Sequence, residues 1–254
     1  MKLAIVGYGK MGREVEAAAV RRGHSVVARI DPEGGADGVA RRLTRASLRG
    51  AAVAFEFTAP GSAEANVIAL LEAGVAVVCG TTGWNASSRA VALAARRAGK
   101  GAVIAPNFSP GMALFAEVVR EAARRFLGTG AYDPFVVESH HRAKKDAPSG
   151  TALKLAGIVA SSASARTEVV AGMPSGTVRP GAVHVASVRA GHEPGTHTVG
   201  FDGAHDAVTL VHRARDRAGL ALGAVLAAEW VARRRGIHGF DEVVADWVRA
   251  GGGK

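Results

Sequence analysis

Leu3-Ala4-Ile5-Val6-Gly7-Tyr8-Gly9-Lys10-Met11-Gly12 is the stretch that decides the fold. Four apolar residues run into G-x-G-x-x-G, and an Ala-rich segment continues to about Arg22. That order predicts a buried strand, a glycine loop and a helix. The first glycine permits the tight turn. The second lets backbone approach a pyrophosphate, and the third lets the helix pack on the strand. Phosphates are then held at the helix N-terminus, where free N–H groups and the dipole favour negative charge. Residues 25–30 predict a second strand, and Asp31 follows it, at the point where a ribose-binding carboxylate is expected. A lone glycine motif is often only a turn; with the acid in place, the stretch reads as a dinucleotide site.

Outward from there, residues 32–50 are Gly- and Arg-rich and predict a loop with a short helix. Strands are expected at 51–57, 75–79 and 101–105, and helices at 59–73 and 86–98, the first with Pro60 in its opening turn. Such alternation implies a parallel sheet covered on both faces, with ligands beyond the carboxyl ends of its strands. Three strand endings there are polar: Thr58, Gly80-Thr81-Thr82 and Asn107-Phe108-Ser109. Each alone could be a helix cap. Together they read as a cofactor rim, with Gly-Thr-Thr-Gly bringing bare backbone against a flat nicotinamide ring.

The rhythm changes at Pro110. A helix at 112–126, a strand at 132–139 and a helix at 150–163 are expected. Residues 164–181 read as loop, with a strand near Val169. Strands follow at 183–190, 196–201 and 207–212, then helices at 217–235 and 240–248 and a disordered Gly-rich tail from 251. The alternation Val183, Val185, Ser187, Arg189 suits a mixed or antiparallel sheet with one exposed face. The fold class is therefore α/β: a Rossmann-type doubly wound parallel sheet, plus a second α+β domain with a mixed or antiparallel sheet.

The 254 residues, 48% apolar and 21% charged, describe an ordinary soluble globular protein large enough for two cores. No apolar run is long enough to span a membrane, and the N-terminus reads as a first strand rather than a signal peptide. The single cysteine, Cys79, excludes an internal disulfide and suits a reducing cytoplasm. The net charge of +10 raises nucleic acid as a partner. However, the arginines are dispersed in pairs such as Arg21-Arg22 and Arg96-Arg97 at expected helix ends, where they complement helix dipoles. Few aromatics accompany them. Attraction of a polyanionic substrate and a phosphate-bearing cofactor accounts for the charge more economically.

Chemistry concentrates in Glu138-Ser139-His140-His141-Arg142-Ala143-Lys144-Lys145-Asp146-Ala147-Pro148-Ser149-Gly150-Thr151. On a strand end, His140 and His141 point to opposite sides, so they cannot easily chelate one metal, and no third ligand is suitably spaced. Lys144 can donate a proton or neutralise charge, and His140 can tune or relay it. Ser149, Gly150 and Thr151 sit at a helix start that attracts a carboxylate. His141 and Arg217 could hold a second one, the arginine in bidentate fashion. The bland alternative is a solvated charged loop with a serine cap; beside a cofactor domain, the residues read as a nicotinamide enzyme reducing a small, multiply anionic substrate.

These motifs resemble, in order, those of the 4-hydroxy-tetrahydrodipicolinate (dihydrodipicolinate) reductase family. They are the glycine loop, Glu56-Phe57-Thr58, Gly80-Thr81-Thr82-Gly83, Asn107-Phe108-Ser109-x-Gly111 and Glu138-x-His140-His141-x-x-Lys144-x-Asp146-Ala147-Pro148-Ser149-Gly150-Thr151-Ala152, with Ser187-Val188-Arg189-Ala190-Gly191, Gly195-x-His197, His212 and Arg217 beyond. The resemblance implies NAD(P)H-dependent reduction to tetrahydrodipicolinate in diaminopimelate and lysine synthesis, in the cytoplasm. It implies His140 as proton donor with Lys144 its partner, and His141, Lys144, Gly150 and Thr151 on the substrate. It implies cofactor contacts from Gly7, Tyr8, Gly9, Lys10, Met11, Gly12, Asp31, Gly80, Thr81, Thr82, Pro106, Asn107, Phe108 and Ser109. It further implies a homotetramer built through the second domain's sheet. Residues 217–254 would return to complete a nucleotide domain of residues 1–110, leaving 111–216 for substrate and assembly. Lys144 stays a candidate donor, because an ammonium is charged at neutral pH without assistance. Two departures stand out. Glu56 replaces a common aspartate, and Pro32 follows Asp31 where some members carry an arginine for the 2′-phosphate. Lys10 and Arg29 are the cations left for that phosphate, so NADH is expected to serve at least as well as NADPH.

Overall fold

The computed structural model describes residues 1–34, 38–162 and 167–251. In chain order the elements are β1 (Lys2–Val6), α1 (Lys10–Arg21), β2 (Ser25–Ile30), β3 (Val39–Ala40), β4 (Val53–Glu56), α2 (Pro60–Glu72), β5 (Ala76–Cys79), α3 (Arg89–Ala98) and β6 (Gly101–Ile104). There follow α4 (Pro110–Leu127), β7 (Tyr132–His140), α5 (Gly150–Ser162), β8 (Val169–Ala171), β9 (Val183–Arg189), β10 (Thr196–Gly203), β11 (Ala207–Arg213), α6 (Ala218–Val231), β12 (Gly236–His238) and α7 (Phe240–Arg249). The chain forms two compact units, Met1–Pro110 with Arg217–Lys254, and Gly111–Asp216.

The first unit is built on a parallel sheet of order β12-β6-β5-β4-β1-β2-β3. Strand order reverses at β1, which makes its carboxyl end the switch point where such sheets take ligands. The strands are apolar throughout because both faces are covered: α2 and α3 pack on one, α1 and α6 on the other. β4 and β5 are buried along their whole length. Helix α3 starts three residues later than its pattern suggests, because the Ser88 side chain caps it by accepting from the Ala90 N–H.

Two short strands depart from the sequence expectation. β3 pairs with β2 inside the Gly/Arg-rich stretch, whose described part otherwise makes turns rather than the expected short helix. The long helix expected to reach Arg235 ends at Val231, and Gly236, at φ +91°, turns the chain into β12, the edge strand beside β6. Two or three residues carry no periodicity, so neither strand had a readable signal. The expected tail beyond residue 251, and residues 163–166 of the expected helix end and loop, lie outside the described residues.

The second unit holds a mixed sheet, β11-β10-β7-β9-β8, in which β10 runs antiparallel to both neighbours and β7, β9 and β8 run parallel. Met112, Ala116 and Val119 of α4 and Leu155, Ala156 and Val159 of α5 bury against Val136, Val185, Val199 and Phe201 on one face. The other face is open, with Val188 and Val211 exposed. Strand alternation puts Glu138 and His140 on the covered face with Val136. Register then sets His212, His197, Glu138 and Ser187 in one row across four strands, and His140 opposite Arg189.

Candidate active site

The residues nominated from sequence fall into two clusters, one in each unit. In the first unit the glycine loop does what its spacing implies. A Cβ on Gly7 would lie 2.1 Å from the Phe57 carbonyl oxygen, and one on Gly12 would lie 2.4 Å from the Gly7 carbonyl oxygen. The space at Gly9 is open to 4 Å. Gly9 is also the N-cap of α1 and brings no capping side chain, so the helix start is left for an anionic ligand. Tyr8 N–H donates to Asp31 Oδ2 at 2.8 Å and Glu33 N–H to Oδ1 at 3.0 Å, which fixes the carboxylate at the end of β2. Arg29 is not a free cation. Its guanidinium hydrogen-bonds Glu16, and that bond, opposed by burial, raises the arginine's pKa. Lys10 stands exposed at the start of α1.

A cavity of about 330 Å³ opens at the carboxyl ends of the strands. Its lining includes Met11, Thr58, Gly80, Thr81, Thr82, Pro106, Asn107 and Phe108, all nominated from sequence, and also Phe57, Pro60 and Leu220, which were not. Ser109 lies beside it and donates its N–H to Asn107 Oδ1 at 2.8 Å. Beneath this rim lies Glu56, fully buried. Thr58 Oγ1 donates to one of its oxygens, and Thr81 Oγ1 to the other at 2.6 Å; Thr58 N–H in turn donates to Thr81 Oγ1 at 2.9 Å. Glu56 thus holds two rim loops together. Cys79 donates to the same carboxylate at 3.2 Å, and burial pushes its thiol pKa up, so it is an inert thiol. An open helix start, a fixed carboxylate and a backbone-lined cavity fit a dinucleotide.

In the second unit, Glu138 is fully buried and accepts four hydrogen bonds. Arg189 supplies two, Nη1 to Oε2 at 2.9 Å and Nη2 to Oε1 at 2.7 Å. Ser149 N–H supplies one at 3.1 Å and His140 Nδ1 the last. Burial raises the carboxyl pKa, but Arg189 first, then the neighbouring Ser187 hydroxyl, His140 and the Ser149 N–H, outweigh it and hold the group at about 2. His140 meets His197 edge to face, ring centres 5.1 Å apart. Burial, then the charge of His140, pushes His197 down to about 4, so it is neutral at physiological pH. Lys144 Nζ pairs with Asp146 at 2.7 Å.

The nominated carboxylate-binding groups are less alike than the sequence suggests. Ser149 is buried; its N–H goes to Glu138, and its Oγ accepts from Ala152 N–H and meets His197 Nε2 at 3.3 Å. It caps α5 and packs behind the site. Gly150 is exposed and Thr151 half-buried in the first turn of α5. His141 donates its N–H to the Glu193 carbonyl and leaves its ring half-exposed. Arg217 lies in the first unit, where it caps α6. Arg142 and Lys145 of the same run are exposed, whereas Glu138 is fully buried. Arg189, 51 positions away in sequence, carried no local signal for this role. Among the described residues no group of three His, Cys, Asp or Glu could hold a metal ion, and no helix is long and apolar enough to cross a membrane.

Residues 1–108 match the family profile described as dihydrodipicolinate reductase, N-terminus, and residues 111–244 match its C-terminus. The chain belongs to the dihydrodipicolinate reductase family. It is 30% identical over 246 residues to a 4-hydroxy-tetrahydrodipicolinate reductase of Christiangramia forsetii, covering 97% of this chain and 98% of that one. It is 40% identical over 194 residues to the Methanosarcina barkeri enzyme of the same name, covering 76% and 72%. Among solved structures, a dipicolinate-bound dihydrodipicolinate reductase from Paenisporosarcina sp. TG-14 superposes with TM-score 0.76 at 25% identity, covering 95% of this chain and 98% of that one. As a member of the dihydrodipicolinate reductase family the chain is an oxidoreductase that works with a nicotinamide dinucleotide.

Proposed function

We propose that the chain reduces 4-hydroxy-tetrahydrodipicolinate to tetrahydrodipicolinate, the 4-hydroxyl leaving as water, with NADH or NADPH as cofactor, on a cytoplasmic route to diaminopimelate and lysine. The observation that carries this reading is His140, an imidazole backed by a buried carboxylate, on the same strand-to-helix turn as the Lys144 ammonium. When bound, the cofactor supplies the hydride. The loop of residues 7–12 receives its pyrophosphate and Asp31 its ribose hydroxyls. Thr58, Gly80, Thr81, Thr82 and residues 106–109 bound the nicotinamide end. His140 gives the proton to the substrate, and Lys144 neutralises developing charge beside it or donates in its place. The first unit is then the cofactor domain. In the second, His141, Gly150 and Thr151 face the substrate's carboxylates, with Ser149 positioning the helix start.

The test follows reduced-nicotinamide absorbance with the aldol product as substrate. His140→Ala and Lys144→Ala should each lower kcat by about 10²–10⁴, the usual contribution of a general acid. Near-normal kcat in both rejects the assignment. NADH should serve at least as well as NADPH, because Pro32 follows Asp31 and Arg29 is engaged by Glu16. A strong NADPH preference in kcat/KM would sink that part. The open face of the mixed sheet, with Val188 and Val211 exposed, suits assembly into a homotetramer, which sedimentation measures.

A further inference from the structure

Glu138 is the one acid of the charged turn with no exposure, and it stands two residues before His140 on the same face of β7. Oε1 accepts from Arg189 Nη2 and Ser149 N–H, and Oε2 from Arg189 Nη1 and His140 Nδ1. A carboxylate so held has no proton to give, since an ionised carboxylate only accepts. The hydrogen between Glu138 and His140 therefore belongs to Nδ1. Nε2 makes no hydrogen bond among the described residues. Beside it a Cβ on Gly195 would sit 2.9 Å away, at a backbone φ of +147° that only glycine adopts freely. Glycine there keeps the reactive nitrogen uncovered.

We propose that Glu138, clamped by Arg189, is the positioning residue of His140: it holds Nδ1–H in place, so that Nε2 alone gives up and regains the exchangeable proton. This rests on the assignment of His140 as proton donor. In the step, the Nε2–H bond breaks and its electron pair stays on nitrogen. The proton forms a C–H bond with the π electron pair of a substrate carbon, the 4-hydroxyl having left as water, and the bound cofactor would supply the hydride that makes the reduction a two-electron one. The charged and titratable groups around the ring are Glu138 on its own strand, Arg189 opposite on β9 and His197 on β10; Ser149, just before α5, meets His197, and the charge of Lys144 also acts on His197. Arg189 Nη2 also donates to the Asp146 carbonyl, so one guanidinium ties Glu138 to the turn that carries Lys144.

The test uses the full chain. In Glu138→Gln, kcat should fall by about 10- to 10³-fold, less than the about 10⁴ that the corresponding Asp→Asn change costs a catalytic triad. KM should stay within about threefold, as expected when ground-state binding is untouched. A general acid must be protonated, so activity falls as pH rises through its pKa. Loss of the neighbouring anion should move that limb to lower pH by about one unit. Glu138→Asp, which keeps the charge, should restore the limb. Independently of turnover, nitrogen-15 NMR of the ring in substrate-free wild-type protein should report Nδ1–H for neutral His140. An Nε2–H tautomer in the wild type, or an unmoved limb with unchanged kcat in Glu138→Gln, overturns the proposal. Normal kcat in His140→Ala overturns instead the assignment it rests on, while the tautomer result stands by itself.

Discussion

His197 illustrates how the covered face of the mixed sheet treats charge. Its ring is buried, presses on His140 and titrates near 4, whereas an unfolded histidine titrates near 6.5. As pH falls below about 6.5 the unfolded chain takes up a proton that the native chain refuses until about pH 4. Stability therefore declines across that window, by up to about 3 kcal/mol from this group. Glu138 acts in the same direction at lower pH: its depressed pKa contributes stability that is lost as pH falls from the ordinary carboxylate range towards about 2. Thermal melts at pH 7 and 4.5 should show a smaller fall in Tm for His197→Gln than for wild type; equal falls would contradict the burial account. Much of this site was legible as letters. His140, Lys144 and the Ser-Gly-Thr helix start stand in one run whose density of ionisable groups marks it out. What could not be read was which groups meet. Arg189 reaches Glu138, and His197 reaches Ser149, only through strand register, which is decided by the whole apolar face and not by neighbours in sequence.

Among the elements, α6 shows how closely backbone can approach backbone. A Cβ on Gly223 would fall 1.7 Å from the Phe108 carbonyl oxygen and 2.9 Å from the Phe240 ring. Gly223→Ala must push the helix away from the rim loop that carries Asn107 and Phe108. Overpacking of this kind costs about 1–3 kcal/mol, so a lower Tm is expected together with weaker dinucleotide binding by calorimetry. Unchanged binding in the folded variant would mean that the loop yields without disturbing the cavity. On the mixed sheet, Phe135 lies over Gly200, its cross-strand partner, where a Cβ would be 2.1 Å from the ring. Gly200→Ala should displace that ring and lower Tm, with the cofactor affinity of the other unit unchanged. The long strands and helices were legible because each repeats its period often enough. β3 and β12 were not, since pairing with a neighbour's free edge, rather than any pattern of their own, makes them strands.

For the whole molecule, the telling feature is that the first unit is discontinuous and the second is not. Ala224, Val225, Ala228 and Val231 of α6 are buried, and the helix packs on β4, β5 and β6. A polypeptide of residues 1–110 therefore leaves bare the part of the sheet face over β4, β5 and β6, whereas the core cluster of the second unit lies within residues 111–216. Expressed separately, the 111–216 fragment should melt cooperatively by circular dichroism, and the 1–110 fragment should aggregate or lack a transition. A cooperative melt of 1–110 alone would refute this. The boundary at Pro110 was legible as a change of rhythm, because alternation of strand and helix stops there. The return of the C-terminal segment was visible only as resemblance to a family, since nothing in an apolar helix names the sheet it will cover.

The ribosome makes β1 well before α6. At about 5–20 residues per second, the interval between β6 leaving synthesis and α6 becoming available is on the order of ten seconds. Throughout it, the unit begun first waits without the helix that packs on β4, β5 and β6, while residues 111–216 can already close. Of the two units, the one begun earlier is the later to be finished, and that interval is when a chaperone would find it.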